Sequence, residues 1–441
     1  MARVLVSAVP HTGHVRPLLH VAEALVARGH EVSCYVGSSF ESAVRDRGAR
    51  NLPMIDGLDY DESTVERVFG VRPKNPVRRV AHDIAQMFVG TAPAYLSDLR
   101  HHVRDWRPDV VVSDDAHLPS ALLAELEGMP YVLVGIQVVI ATDPLVPPFG
   151  PGLPPATNAL ATLGLGIVRR ATAALVTGEG ERLLRRIRSD LGLPRFDGTF
   201  FDYPVSVSST YLQGCAPEFE YPRSRPPRQL EFVGPIMRAP ASPSRMEPAD
   251  LPSWWPELVA AKGRGRPVVV VTQGTVAVDP ENLILPTLRG LAGDDVFVVA
   301  TATGLGARDL EADVRAPDGG PVRASFRVED FVPFDELLPF ADVLVTNGGY
   351  GGVQQALSYG VPLVASGVTE DKREVGARVG WSGVGVALQR QRPRPRDVAE
   401  AVRTVLSEPS YAATAGNVMR SGRACGGLSR VVQVIEGLAA N

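Results

Sequence analysis

The chain has 441 residues, 45% hydrophobic and 21% charged, the balance of an ordinary globular protein long enough for two domains with full cores. Its formal net charge of -4 speaks against a nucleic-acid or acidic-membrane surface. Cys34, Cys215 and Cys425 are odd in number and scattered, which points to a reducing compartment, no disulfide framework and no Cys/His metal spacing.

Residues 4–9 are a nearly continuous apolar run closed by Pro10, the pattern of a buried parallel strand. As a leader this segment is too short and wrongly flanked, so a cytoplasmic protein is expected. Pro17 suits the first turn of a helix in which Leu18, Val21, Ala22 and Leu25 share a face and Gly29 is the stop. Strands follow at 32–36, 110–113 and 131–135, with short helical patterns at 39–47 and from Leu118. The apolar run at 131–141 is broken by Gly135 and Gln137, so no transmembrane segment is expected.

Proline and glycine crowd 143–160, which reads as an ordered loop. Prolines crowd 222–256, which reads as the crossing between domains. From Pro267 the alternation restarts, with strands at 268–272, 296–300, 326–331, 343–346, 361–365 and 384–387 and helices after Arg396. This predicts an α/β chain of two Rossmann-like, doubly wound domains facing each other across a cleft. The predicted boundaries are 1–235, a linker at 236–265, and 266–441, with the last helix packing back on the first domain.

All eight histidines fall within the first 117 residues, so imidazole chemistry must come from the first domain. His11-Thr12-Gly13-His14 closes the first strand and opens the first helix, which places His14 at the carboxyl edge of the sheet. A helix N-terminus disfavours the imidazolium, leaving a neutral base near pH 7. Asp114, at the end of another strand, can hold one tautomer. The alternative is that each residue only caps a helix. A metal pair at Asp114-Asp115 is disfavoured because neighbours in a strand point to opposite sides.

In the second half, four glycines (348, 349, 351 and 352) lie between a strand and a helix. Glycines admit a phosphate close to the backbone, and the first N–H groups of a helix face outward without intrahelical partners. Gln273-Gly274-Thr275, after the strand at 268–272, can add N–H and hydroxyl groups, or can be a plain turn and cap. Gln355 reaches toward a ribose. Phe331, before Val332-Pro333, stacks on a base or belongs to the core. Glu370-Asp371-Lys372 follows the next strand, where Asp371 holds sugar hydroxyls or caps a helix. Together these residues read as a seat for a nucleotide diphosphate at a sheet edge. A nicotinamide G-x-G-x-x-G, a Walker A loop and a G-x-S-x-G elbow are all lacking.

At these residues the chain resembles the family 1, nucleotide-sugar-dependent glycosyltransferases of the GT-B fold, over nearly its whole length. The family's G-H-x-x-P matches Gly13-His14-Val15-Arg16-Pro17, and its H-G-G-x-x-S/T-x-x-E matches 347–355. Here Asn347 replaces a phosphate-binding His, Gly352 a hydroxyl donor, Gln355 the ribose-binding Glu, and Lys372 a sugar-binding Gln. The motifs at 272–275, 347–352 and 370–372 are similar to those of the sophorolipid-forming glucosyltransferases of yeasts.

The resemblance implies a catalytic pair of His14 and Asp114. It implies donor contacts from Gly13, Gly274, Thr275, Phe331, Val332, Asn347, Gly348, Gly349, Gly351, Gly352, Gln355, Glu370, Asp371 and Lys372. In this family the first domain binds the acceptor, which places its walls at about 56–95 and 143–160 and makes His11, Met87, Phe88 and Phe149 candidates. The expected activity is inverting, metal-independent O-transfer of a hexose, glucose first, from a UDP-sugar to a small hydrophobic acceptor, with no cofactor and no nucleic-acid partner. Alternatives are a thymidine-diphosphate deoxysugar donor, favoured by loss of the ribose-binding Glu, an epimerase or hydrolase on the same scaffold, and a non-catalytic sensor.

Overall fold

The computed structural model describes residues 1–61, 63–237, 251–274, 279–302, 310, 314–315 and 322–440. Among the described residues, thirteen strands form two sheets, seven-stranded and six-stranded, and every pairing is parallel. The first holds β1 (Arg3–Ser7), β2 (Glu31–Tyr35), β3 (Arg50–Asn51), β4 (Val110–Asp114), β5 (Tyr131–Gly135), β6 (Thr210–Gln213) and β7 (Leu230–Phe232), in the order 3-2-1-4-5-6-7. The second holds β8 (Val268–Thr272), β9 (Phe297–Thr301), β10 (Ser325–Glu329), β11 (Val343–Thr346), β12 (Leu363–Ala365) and β13 (Gly385–Ala387), in the order 10-9-8-11-12-13. The central strands are valine-rich and buried on both faces, as helix-covered parallel sheets require.

Each sheet reverses its winding once, between β1 and β4 and between β8 and β11. Ligands of open α/β sheets bind at such a reversal, beyond the carboxyl ends of the strands. The segments leaving these four strands carry His14, Asp114, Gly274 and Asn347.

Three local features depart from the sequence pattern. The first helix is Thr12–Ala27, so Pro17 lies inside it. The His14 and Val15 N–H groups already close the first turn on the His11 carbonyl, at 2.9 Å each. Pro17 forfeits only the bond its own N–H would make to Gly13. β7 lies within the proline-rich stretch and pairs with β6 as an edge strand, a place that tolerates flanking prolines. The long helix Ala159–Asp190 begins at the end of the expected loop.

The domains are joined by more than the crossing segment. The last helix, Gly427–Ala439, buries Val431, Val432 and Ile435 in one cluster with Val15, Leu18 and Leu25 of the first helix. Its Glu436 accepts from Arg28 (2.8 Å) and His30 (3.0 Å). Arg378, from the helix Lys372–Trp381, is 1% exposed. It donates to Glu220 of the first domain (2.8 Å) and to Glu374 (3.2 Å), and its guanidinium lies 4.2 Å from the centre of the Tyr221 ring. The other Glu374 oxygen accepts the N–H groups of Gly150 (2.9 Å) and Gly152 (2.8 Å), which binds the proline- and glycine-rich loop to the second domain.

Breaking a buried ion pair strands the remaining charges. Arg378→Met is expected to lower unfolding free energy by about 3–5 kcal/mol, read from urea midpoints. Adding Glu220→Gln and Glu374→Gln should restore most of that loss; a single variant as stable as wild type would show the pair to be idle.

Candidate active site

His14 is the third residue of the helix Thr12–Ala27, its side chain 22% exposed. Its Nδ1 lies 3.2 Å from Asp114 Oδ1. Asp114 ends β4 with its side chain wholly buried. Oδ1 also accepts the Ala116 N–H (2.7 Å), and Oδ2 accepts that of Val9 (2.9 Å). The carboxylate is therefore fixed from both sides, and with Nδ1 protonated the Nε2 lone pair of His14 is available.

Burial disfavours charging the His14 ring, but Asp114, Asp115 and Asp371 outweigh it and raise its pKa above 6.5. The helix-end depression expected from sequence is overridden, because a terminus offers a fraction of a unit charge against three carboxylates. Burial also acts on the Asp114 carboxyl, yet His14, His117 and the Ala116 N–H hold it below the ordinary value. Burial and then Asp114 push Asp115 up to about 8. Gln137 donates to Asp115 Oδ1 at 3.1 Å, and Oδ2 is buried without a hydrogen-bond partner. Asp115 thus gives up its proton far less readily than an ordinary carboxyl. Among the described residues no three His, Cys, Asp or Glu side chains gather as a metal-ligand set.

Across the cleft, Asn347 laces two loops together. Its Nδ2 donates to the Gln273 carbonyl, and its Oδ1 accepts from Gly349 N–H at 3.3 Å. Gly348 (φ +83°) and Gly274 (φ +76°) occupy the left-handed region that their loops require. Side chains at Gly13, Gly351 or Gly352 would meet no atom within 4 Å, so the start of the helix Tyr350–Ser358 has open space beside it. That helix is anchored to the first domain by Gln213, which donates to the Tyr350 hydroxyl at 2.7 Å. Thr275 lies outside the described residues.

Asp371 precedes the helix Lys372–Trp381 but makes no side-chain cap. Burial raises its pKa to about 6, opposed by His14, so the acid of one domain and the imidazole of the other feel each other's charge. Lys372 donates to Glu370 and to the Thr369 hydroxyl (3.1 Å). Burial, assisted by Arg79 of the first domain, lowers its pKa to about 8. Glu370 has φ 51°, a strained value for a residue with a side chain.

Phe331 is 76% exposed whereas Val332 is buried, so Phe331 is not a core residue. Gln355 donates to Asp335 Oδ1 at 3.0 Å, and the Tyr359 hydroxyl points at the same oxygen at 3.2 Å. Sequence reasoning passed over Asp335; its signal is an acid four residues after Phe331.

Of the acceptor candidates, His11 packs edge-on to Tyr60 at 5.3 Å. Met87 is buried with Tyr60 and Val65, and Phe88 packs against them. Phe149 does not join that cluster; it stacks 5.5 Å from Phe201 and packs on the interdomain core.

Residues 309–437 match the family described as Erythromycin biosynthesis protein CIII-like, C-terminal domain. Residues 12–195 match the Glycosyl transferase 4-like domain. The chain is 39% identical to 4'-demethylrebeccamycin synthase of Lentzea aerocolonigenes, over 99% of each chain. It is 30% identical to UDP-glucosyltransferase B1 of Starmerella bombicola, over 92% of each. Among solved structures, the calicheamicin glycosyltransferase CalG4 superposes with a TM-score of 0.74 at 19% identity, covering 100% of this chain and 99% of that one; this likeness speaks for the fold.

Because the carboxylates raise the His14 pKa, the imidazolium persists past pH 6.5 and is lost as pH climbs through the raised value. An NMR titration should place the His14 midpoint above 6.5. Asp114→Asn removes the largest raising contribution and leaves burial in charge, so the midpoint should fall. A midpoint indifferent to that substitution would refute the electrostatic assignment.

Proposed function

The chain belongs to the family 1 glycosyltransferases of the GT-B fold, and from that premise we propose that it is an inverting O-glycosyltransferase. It moves a hexose, glucose in the first place, from a uridine diphosphate sugar to a hydroxyl of a small hydrophobic natural product or hydroxy lipid. The observation that carries this reading is the His14–Asp114 pair lying within electrostatic reach of Asp371 of the opposite domain.

His14 Nε2 takes the proton of the acceptor hydroxyl while Asp114 stabilises the imidazolium. The oxygen attacks the anomeric carbon from the face opposite the diphosphate, through an oxocarbenium-like transition state. A base so placed contributes about 10²–10⁴ in rate, about 3–5 kcal/mol of barrier. Charge developing on the leaving diphosphate meets the main-chain N–H groups at 350–352 and the Lys372 ammonium. Asn347 keeps that loop in register with Gly274 rather than acting chiefly as a phosphate ligand. Asp371 accepts hydroxyls of the sugar, and Phe331 stacks on the base.

Asp335 supplies the ribose-facing carboxylate that Gln355 cannot. Gln355 and Tyr359 engage one of its oxygens, and the other accepts from the ribose. This supports a uridine donor over the second reading, a thymidine diphosphate deoxysugar, which the Gln355 replacement alone would favour. The relatives support the broader class: one is named for a rebeccamycin derivative and another as a UDP-glucosyltransferase.

His14→Ala should lower turnover with UDP-glucose by about 10²–10⁴-fold with little change in donor KM; turnover near wild type would remove the base assignment. Asp335→Asn should raise KM for UDP-glucose about 10-fold or more and affect dTDP-glucose less, because its sugar lacks the 2'-hydroxyl. Equal losses with both donors would place Asp335 away from the ribose. UDP release that needs no acceptor would instead indicate a hydrolase.

A further inference from the structure

An apolar stripe stands exposed on the first domain. Residues Ala159–Asp190 form one continuous helix, and of the fourteen residues Ala159–Thr172 only Leu165 is buried. Leu160 is 79% exposed, Leu163 67%, Ile167 64% and Leu175 67%. The first three are spaced three and four apart and therefore share one face. No acid occurs between 159 and 178. A contiguous apolar face of this kind marks a docking surface.

By length and composition the helix is apolar enough to cross a bilayer, which the sequence reading did not anticipate. Its anchoring indicates that it lies on a surface instead. Arg169 donates to the carbonyls of Asp143 (2.9 Å), Pro144 (3.3 Å) and Val146 (3.2 Å), and Leu184 and Ile187 are embedded in the domain core.

The surroundings are basic. Arg170 is exposed beside the stripe, and Arg182, Arg185 and Arg186 are exposed farther along the helix. The helix Pro76–His82 packs against residues 173–177 of the long helix and adds exposed Val77 and Arg78. Exposed acids on the long helix are Glu179 and Asp190. The whole-chain charge of -4 hides this local excess of cations.

We propose that this face docks the protein on an anionic lipid surface, with the leucine and isoleucine side chains in the bilayer interface and the arginines against lipid phosphates. The docking is independent of the chemistry assigned to His14, although a hydrophobic acceptor dissolved in lipid would then be presented to the domain that binds it.

Flotation of the full chain with vesicles tests the idea. Binding should be strong to phosphatidylcholine–phosphatidylglycerol vesicles, weak to phosphatidylcholine alone, and reduced by salt. Leu163→Ser/Ile167→Ser should lower partitioning at least about tenfold. Arg182→Gln/Arg185→Gln/Arg186→Gln should weaken binding to the anionic vesicles alone. Both variants should keep the wild-type melting temperature and wild-type turnover of a water-soluble acceptor, so failure of docking and failure of the catalytic reading are separable. The proposal is overturned if the wild type stays with the aqueous fraction or if the serine variant binds undiminished. A dimer that dissociates in the serine variant, without vesicle binding, would assign the face to a second copy of the chain.

Discussion

The candidate site lies where two domains meet, and one buried guanidinium helps to fix the geometry of that meeting. Arg378 binds Glu220 of the first domain and Glu374 of its own helix. Three charges taken out of water are expensive, and their mutual attraction roughly offsets the cost. What the arrangement supplies is geometry. The helix bearing Glu374 and Arg378 begins just after Asp371, so orienting that helix against Glu220 also orients Asp371 toward His14. Glu374 extends the same constraint to Gly150 and Gly152, so the proline- and glycine-rich loop cannot move without the helix.

Within the cleft, charge is regulated by proton placement. Asp114, Asp115 and Asp371 all act on His14, yet the three are not equivalent. Asp114 is kept ionised by three donors, Asp115 is pushed to about 8 and Asp371 to about 6. One carboxylate orients the ring, and the other two are moved up toward the working range. A pair of titratable groups driven apart by environment is the usual sign of divided acid–base roles. An arriving diphosphate adds negative charge, which would raise the imidazole further. Lys372 and the N–H groups beside the open glycines are the local counterweight.

The sheets were legible because parallel strands buried on both faces must be nearly all apolar, and runs such as 110–113 and 268–272 fit little else. The His14–Asp114 pair was legible because Asp114 ends a strand of that kind and His14 opens the helix that follows another. Other features were hidden for physical reasons. Pro17 looked like a helix start, yet the turn before it closes on the His11 carbonyl. β7 is a three-residue edge strand and carries almost no periodic signal. The raised His14 pKa depends on Asp115 and Asp371, whose proximity only folding creates. Asp335 carries no signal in the sequence beyond an acid early in a helix, and only the fold brings Gln355 and Tyr359 onto it. The helix at 159–190 was overlooked because Arg169 and Arg170 interrupt its apolar run, although one of them turns inward to loop carbonyls.

The central claim is that one domain grips a diphosphate with bare main-chain amides while the other offers a single imidazole to the acceptor. A crystal structure with uridine diphosphate glucose bound tests it most directly. The account predicts diphosphate oxygens at hydrogen-bond distance from the N–H groups of 350–352, with the anomeric carbon open toward His14 Nε2 on the side away from the diphosphate. A nucleotide seated elsewhere, or a sugar whose open face looks away from His14, would contradict it.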